Sequence, residues 1–282
     1  MKHSASAWEQ AVVWLRQQPD QRALVEAAYY DDPLLVAAAR YHASEEWSAI
    51  RTLLPEPHLR ALDLGAGRGV ASYALAKEGY EVAAVEPDES DLVGANAIRS
   101  LATETGLPIY AKNGVSEAIP YPAAQFDLVF ARSVLHHARD LARACQEIYR
   151  VLKPGGTFLA VREHVISKPT DLQSFLDSHP LHNMYGGENA FLLKQYEEAI
   201  RTAGFRIGLV LSPFESPINF APNTVASLQA EIAKRMAFGV SGLATLAGST
   251  LRVPGVWSLL LPALKRMDRR PGRLYSFVCR RV

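Results

Sequence analysis

Apolar residues recur at helical spacing near the start of the chain, at Trp8, Val12 and Leu15, and Pro19 closes that segment. Residues 4–54 read as helices. Asp32-Pro33 is an N-cap followed by proline at the first helical position, Ser44 opens a further helix in the same manner, and Pro55 and Pro57 mark a linker. From residue 60 short apolar runs alternate with helical stretches. Strands are predicted over 62–64, 82–85, 108–112, 126–131 and 157–162, and helices over 69–78, about 89–105 and a stretch ending at Leu152. Lys153-Pro154-Gly155-Gly156 reads as a turn. A helix over about 189–203 and strands over 205–211 and 274–279 complete the series, with 213–272 mostly helical in between. This alternation predicts an α/β fold with a doubly wound parallel sheet. The expected organisation is an N-terminal helical cap, 1–57, and one domain, 58–282, within which 213–272 is a lid-like insertion.

The first predicted strand runs into Asp63-Leu64-Gly65-Ala66-Gly67-Arg68-Gly69, and a helix follows at once. Glycines let the chain turn sharply and let a ligand approach the backbone, while a helix N-terminus offers amide donors to a negative group. Glu86 follows about twenty residues later at the end of the second strand, where a carboxylate can accept from both hydroxyls of a ribose. The third glycine falls two residues after Gly67, whereas a dinucleotide fingerprint needs three. Asp63 would repel a pyrophosphate and attract an ammonium. Both details favour an amino-acid-bearing nucleoside, whose carboxylate would meet the loop amides, over a nicotinamide nucleotide.

With these residues in view, Ala61 to Gly69 resembles the first motif of the class I S-adenosylmethionine-dependent methyltransferases of small molecules. Val85-Glu86-Pro87-Asp88 is similar to their acidic second motif. Ile119-Pro120-Tyr121 to Phe126-Asp127-Leu128-Val129, Ser133 to His137 and Glu147 to Gly156 resemble later ones. The resemblance covers about 61–162. It implies a seven-stranded Rossmann-like sheet with its last strand antiparallel, and S-adenosylmethionine over the carboxyl ends of the strands. It also implies cofactor contacts from Asp63, Gly65, Ala66, Gly67, Glu86, Ser116 and Ala131. One departure stands out: many relatives carry an aspartate for the adenine amino group where this chain has Val115. That leaves the Ser116 amide, with Ser116 or Glu117 as substitutes.

Methyl transfer is a direct displacement that needs alignment and exclusion of water, and a general base only for a poorly ionised acceptor. His136 and His164, after the fourth and fifth strands, are the candidate bases; a histidine there titrates near neutrality. Arg132, Glu163, His179, His182 and Tyr185 are the candidate acceptor contacts. The last three lie in a polar stretch, Ser178 to Glu188, read as a substrate-facing loop. Its two histidines and carboxylate match no standard zinc spacing and have no cysteine nearby, so no metal is expected. The expected acceptor is a hydroxyl of a sugar-like or other metabolite, with carbon methylation of a quinone-like or lipid-linked acceptor as the rival. A nicotinamide-dependent oxidoreductase and a silent cofactor-binding module are the alternatives of other classes.

Composition narrows the partners. The 282 residues carry a net charge of +1 and are 49% apolar, enough for a substantial core but with no global field to draw nucleic acid. No N-P-P-Y-type motif is present either. Cys145 and Cys279 form no disulfide framework and read as reduced thiols; with no secretory signal in MKHSASAWEQ, the expected location is cytoplasmic. No run of 18 apolar residues is found. Trp257 and Leu259 to Leu261 followed by Lys265, Arg266, Arg269, Arg270 and Arg273 leave a membrane contact as the less favoured reading of the insertion, against a packed lid.

Overall fold

Ala61, Leu62 and Leu64 are each no more than 1% exposed, as expected for a strand covered on both faces. In the computed structural model, which describes residues 6–182, 184, 186, 188–237, 247–253 and 255–282, they belong to strand β1, Arg60–Leu64. The other parallel strands are β2 (Glu81–Glu86), β3 (Ile109–Asn113), β4 (Phe126–Arg132) and β5 (Leu152–Ile166). A two-residue strand, β6 (Phe191–Leu192), pairs with the end of β5. β7 (Phe205–Leu211) and β8 (Arg273–Arg281) complete the sheet, whose order is β3-β2-β1-β4-β5-β8-β7. β8 runs antiparallel to both of its neighbours, as the resemblance implies. The predicted turn at 153–156 is absorbed into β5, which begins at Leu152 and bulges against β4 between Phe126 and Leu128.

Both faces of the sheet are covered. On one lie α7 (Leu141–Val151) and α9 (Leu193–Thr202), whose Cys145, Ile148, Tyr196 and Ile200 pack against Phe158 and Phe277. Cys279 joins this cluster, and both cysteines are free thiols. On the other face α5 (Val70–Lys77) is joined by two helices from the N-terminal segment, α3 (Leu34–His42) and α4 (Glu45–Arg51). Tyr41, Trp47 and Ile50 are wholly buried there, and Trp47 stands edge-on to Phe130 at 6.0 Å. Residues 29–50 are thus part of the sheet's core, whereas Ala11, Leu15 and Val25 form a separate cluster with Leu181. Ser44 caps α4, its hydroxyl accepting from the Trp47 amide. Asp32 caps nothing: α3 starts at Leu34 without a side-chain cap, and the Asp32 carboxylate is held by Arg16 and Arg68.

The helix expected from 89 starts only at Ala95 (α6, Ala95–Thr105). Asp88 Oδ1 accepts from the Ser90 amide and Ser90 Oγ from the Leu92 and Val93 amides, turns that compete with helix formation. Within 213–272, a short turn Pro217–Phe220 packs Ile218 into the sheet core, and Val225–Met236 is a helix. The helix Val256–Met267 has no buried residue, and Leu259 is 81% exposed. Among the described residues no helix is long and apolar enough to cross a membrane.

Candidate active site

The carboxyl ends of β1, β2, β4 and β5 open into a cavity of about 1410 Å³. That is room for a nucleoside and a second molecule. One end is built by the glycine loop. Gly65 has φ +64°, and a Cβ there would lie 2.6 Å from Val134 Cγ2, so glycine is required twice over. The amides of Gly65 and Ala66 donate to the Val85 carbonyl, and that of Gly67 to Glu86 Oε2 at 2.8 Å. The expectation that these amides meet a ligand carboxylate is therefore corrected: the strand β2 already uses them. Glu86, 7% exposed, takes the Asp88 amide on its other oxygen. Each carboxylate oxygen can accept a second donor, which leaves room for two ribose hydroxyls. Burial pushes the Glu86 carboxyl up to about 7. Asp63, equally secluded, is also raised to about 7 and accepts from Ser72 Oγ at 2.6 Å. Ser116 lines the cavity and turns its hydroxyl to Glu117; Val115 lines it as well. Ala131 does not: it is wholly buried in the core on the α7 face.

Arg132 reaches the cavity wall but is not available to an acceptor. Its guanidinium is held by both oxygens of Glu46, at 2.6 and 3.1 Å, over the rings of Tyr29 and Tyr41. Although burial opposes it, Arg132 and Arg162 keep the Glu46 carboxyl below its ordinary range. Glu163 is likewise no acceptor contact. It is fully buried, and its oxygens accept from the amides of Val134, Leu135 and His136 at 3.1 Å and from His136 Nδ1 at 2.8 Å. It closes the turn after β4 and fixes one histidine.

At the far end of the cavity His136, His164 and His182 gather around Glu188. His136 Nε2 lies 3.4 Å and His182 Nε2 4.0 Å from Glu188 Oε1, and the His136 and His164 rings are 4.6 Å apart. Burial first, then neighbouring imidazoles, holds His136 well below the neutral range. His164 is depressed in the same way. The expected titration of these histidines near pH 7 is thus corrected: both are neutral there. His179 stacks on His182, accepts from the Leu181 amide and is pushed down to about 4 by burial. Tyr185 lies outside the described residues.

The wall facing the strand ends comes from the N-terminal segment. Ser6, Trp8, Leu24, Tyr29 and Tyr30 line it, and none was marked by the sequence, which carries no motif there. Of the insertion expected as a lid, Pro222, Pro271 and Gly272 are the described residues that line the cavity. Three non-glycine residues with left-handed backbone, Tyr29, Ser133 and Arg162, stand around it. Such strain gathers where structure is held for function.

Residues 62–160 match the family described as methyltransferase domain. Over these residues the chain has a methyltransferase domain, in line with the class I resemblance. A ubiquinone biosynthesis O-methyltransferase of Methylobacterium sp. (strain 4-46) is 31% identical over 157 residues, covering 53% of this chain and 58% of that protein. The human mitochondrial arginine-hydroxylase NDUFAF5 is 28% identical over 73% of this chain and 49% of its own length. The chain thus spans about half the length of the curated relatives it matches. Among solved structures, YcgJ of Bacillus subtilis superposes with a TM-score of 0.53 at 19% identity, over 84% of this chain and 96% of that one. That likeness is one of fold. The cofactor of such a methyltransferase domain is S-adenosylmethionine, and the residues present fit it: a buried acceptor at Glu86, a carboxylate at Asp63 and, at Gly67, a backbone with open space where a side chain would stand.

Proposed function

We propose that this chain transfers a methyl group from S-adenosylmethionine to a hydroxyl oxygen of a small, sugar-like or otherwise hydroxylated metabolite. The observation that carries this reading is that Glu86 and the neutral imidazoles of His136 and His164 line one continuous cavity. Glu86 would hold the ribose hydroxyls and Asp63 the ammonium of the cofactor, which when bound supplies an electrophilic methyl group. The opposite end is where an acceptor hydroxyl must be aligned and lose its proton. Unprotonated imidazoles suit that task, whereas a carbon acceptor with an acidic C–H would not need a cluster of them. The wall from Trp8 to Tyr30 keeps water from the reacting atoms. The relative named as an O-methyltransferase supports oxygen as the acceptor atom.

The test is a turnover screen with isotopically labelled cofactor against sugars, phenols, quinone precursors and glycolipids, read by mass spectrometry. An oxygen-methylated product is expected, together with micromolar binding of S-adenosylhomocysteine. Products methylated only on carbon would move the acceptor assignment; preferential binding of a nicotinamide nucleotide would overturn the reading altogether.

A further inference from the structure

Three histidines at the acceptor end share one feature that their positions in the sequence do not suggest. His164 Nδ1 is 2.8 Å from the Gly272 carbonyl, and His182 Nδ1 is 3.1 Å from the Phe175 carbonyl. A carbonyl oxygen only accepts, so each Nδ1 carries the hydrogen and each neutral ring has its lone pair on Nε2. His136 Nδ1 is fixed in the same sense by Glu163, whose oxygens already take three amides. Its Nε2 lone pair therefore faces Glu188 Oε1 at 3.4 Å with no hydrogen of its own to place between them. Two electron-pair donors buried at that separation repel each other unless a proton or a metal cation lies between them.

We propose that His136, His164 and Glu188 form a binding site for a divalent transition-metal ion, zinc being the occupant that the donors suit best. One donor atom from each lies within 4.8 Å of the other two. A zinc ion with bonds of about 2.0–2.1 Å needs donors about 3.4 Å apart in tetrahedral geometry, so the His136–Glu188 edge already has the right length. The remaining donors must close by about 1 Å or a little more at most. Imidazole nitrogen with one carboxylate suits zinc and its neighbours rather than magnesium or calcium, which prefer all-oxygen shells. The outer contacts match too. Ligating histidines hand their second N–H to a carboxylate or a backbone carbonyl, which is how Glu163 and Gly272 stand here. Three protein donors leave a coordination position open to the cavity. Within the loop 178–188 alone the spacing of ligands fits no zinc site. Folding sets His136 and His164, from the ends of β4 and β5, beside Glu188 in place of the loop's own His179 and His182.

The inference rests on the methyltransferase reading for its purpose, and it makes His136 and His164 ligands, so that the metal rather than their imidazoles promotes loss of the acceptor proton. An acceptor hydroxyl on the open position would be acidified, its proton passing to Nε2 of His182, which stands 4.0 Å from Glu188 Oε1. The O–CH₃ bond then forms as the S–CH₃ bond breaks, and the sulfonium becomes a neutral thioether.

The test uses the full chain, purified without a histidine tag and stripped with a chelator. Zinc chloride is titrated calorimetrically, metal content is measured by mass spectrometry, and cobalt(II) is added as a visible-absorption probe. One zinc per chain is expected, with a cobalt spectrum of low-symmetry nitrogen–oxygen coordination. Glu188→Gln and His164→Ala should weaken zinc at least a hundredfold, and Glu163→Gln, which touches no metal, tenfold to a hundredfold. S-adenosylhomocysteine binding is measured in every sample and should persist in Glu188→Gln, which shows that the variant is folded. Zinc binding that is absent, substoichiometric or unaltered in these variants overturns the site even where the nucleoside still binds. Stoichiometric zinc with no S-adenosylhomocysteine binding overturns the methyltransferase reading and leaves the metal site standing.

Discussion

Glu86 and Asp63 are acids held in a place that disfavours their charge, and this fixes the sign of two pH effects. Burial raises both carboxyls to about 7, so the folded state keeps protons that the unfolded chain gives up near pH 4. Their contribution to stability is greatest below about pH 4, falls as pH rises towards 7 and is flat above it. Ribose hydroxyls donating to Glu86 favour the carboxylate, so binding releases a proton and affinity follows the opposite course. We expect S-adenosylhomocysteine to bind about tenfold more tightly at pH 8 than at pH 6, and Glu86→Gln to bind weakly with a much flatter profile. Calorimetric titration at three pH values measures this. An unchanged profile in the variant would take the ribose role away from Glu86.

Among the elements, α4 and the helix Val256–Met267 make opposite predictions although both carry tryptophan. Trp47 is fully enclosed between Tyr41 and Phe130, and its indole N–H donates to Glu78 at 3.0 Å. Trp47→Ala should lower stability by about 3–5 kcal/mol, whereas Leu259→Ser should stay within about 0.5 kcal/mol. Denaturant midpoints of the two variants check both. Equal losses would mean that the second helix is packed far more firmly than its exposure indicates. The same contrast shows what could be read beforehand. Strands β1, β2 and β4 were legible because a strand buried on both faces must be written as an apolar run, and α7 because Leu141, Ala144, Cys145, Ile148 and Val151 keep one face. The place of the glycine loop between β1 and α5, and of Glu86 at the end of β2, was legible because it depends on local order. Glu163 was not: its partners lie 27 to 29 residues away, and its place at the end of the fifth strand suggested an acceptor contact. Nor was the pairing of Arg132 with Glu46, across 86 residues, for which no local pattern exists.

At the scale of the molecule, the cavity has two walls from opposite ends of the sequence logic: strand ends rich in motifs, and an N-terminal segment with none. They are fastened together by Arg68, a member of the glycine loop itself. Its guanidinium, 5% exposed, donates to the carbonyls of Tyr29 and Asp31 at 3.0 and 2.9 Å and is paired with Asp32. The loop that would carry the cofactor therefore also holds the wall that covers it, so opening one disturbs the other. The consequence is kinetic. If a molecule seated on Glu86 leaves only when that fastening lets go, its residence time is set by the Arg68 contacts rather than by its own. Arg68→Ala should raise the dissociation rate of S-adenosylhomocysteine about tenfold while leaving association nearly unchanged, as stopped-flow displacement can measure. An unaltered dissociation rate would mean that the wall does not gate the site. A slow, Arg68-dependent exit would make product release the step that limits turnover, and the proposed methyl transfer would then be paced by residues 29–32, to which Arg68 is fastened.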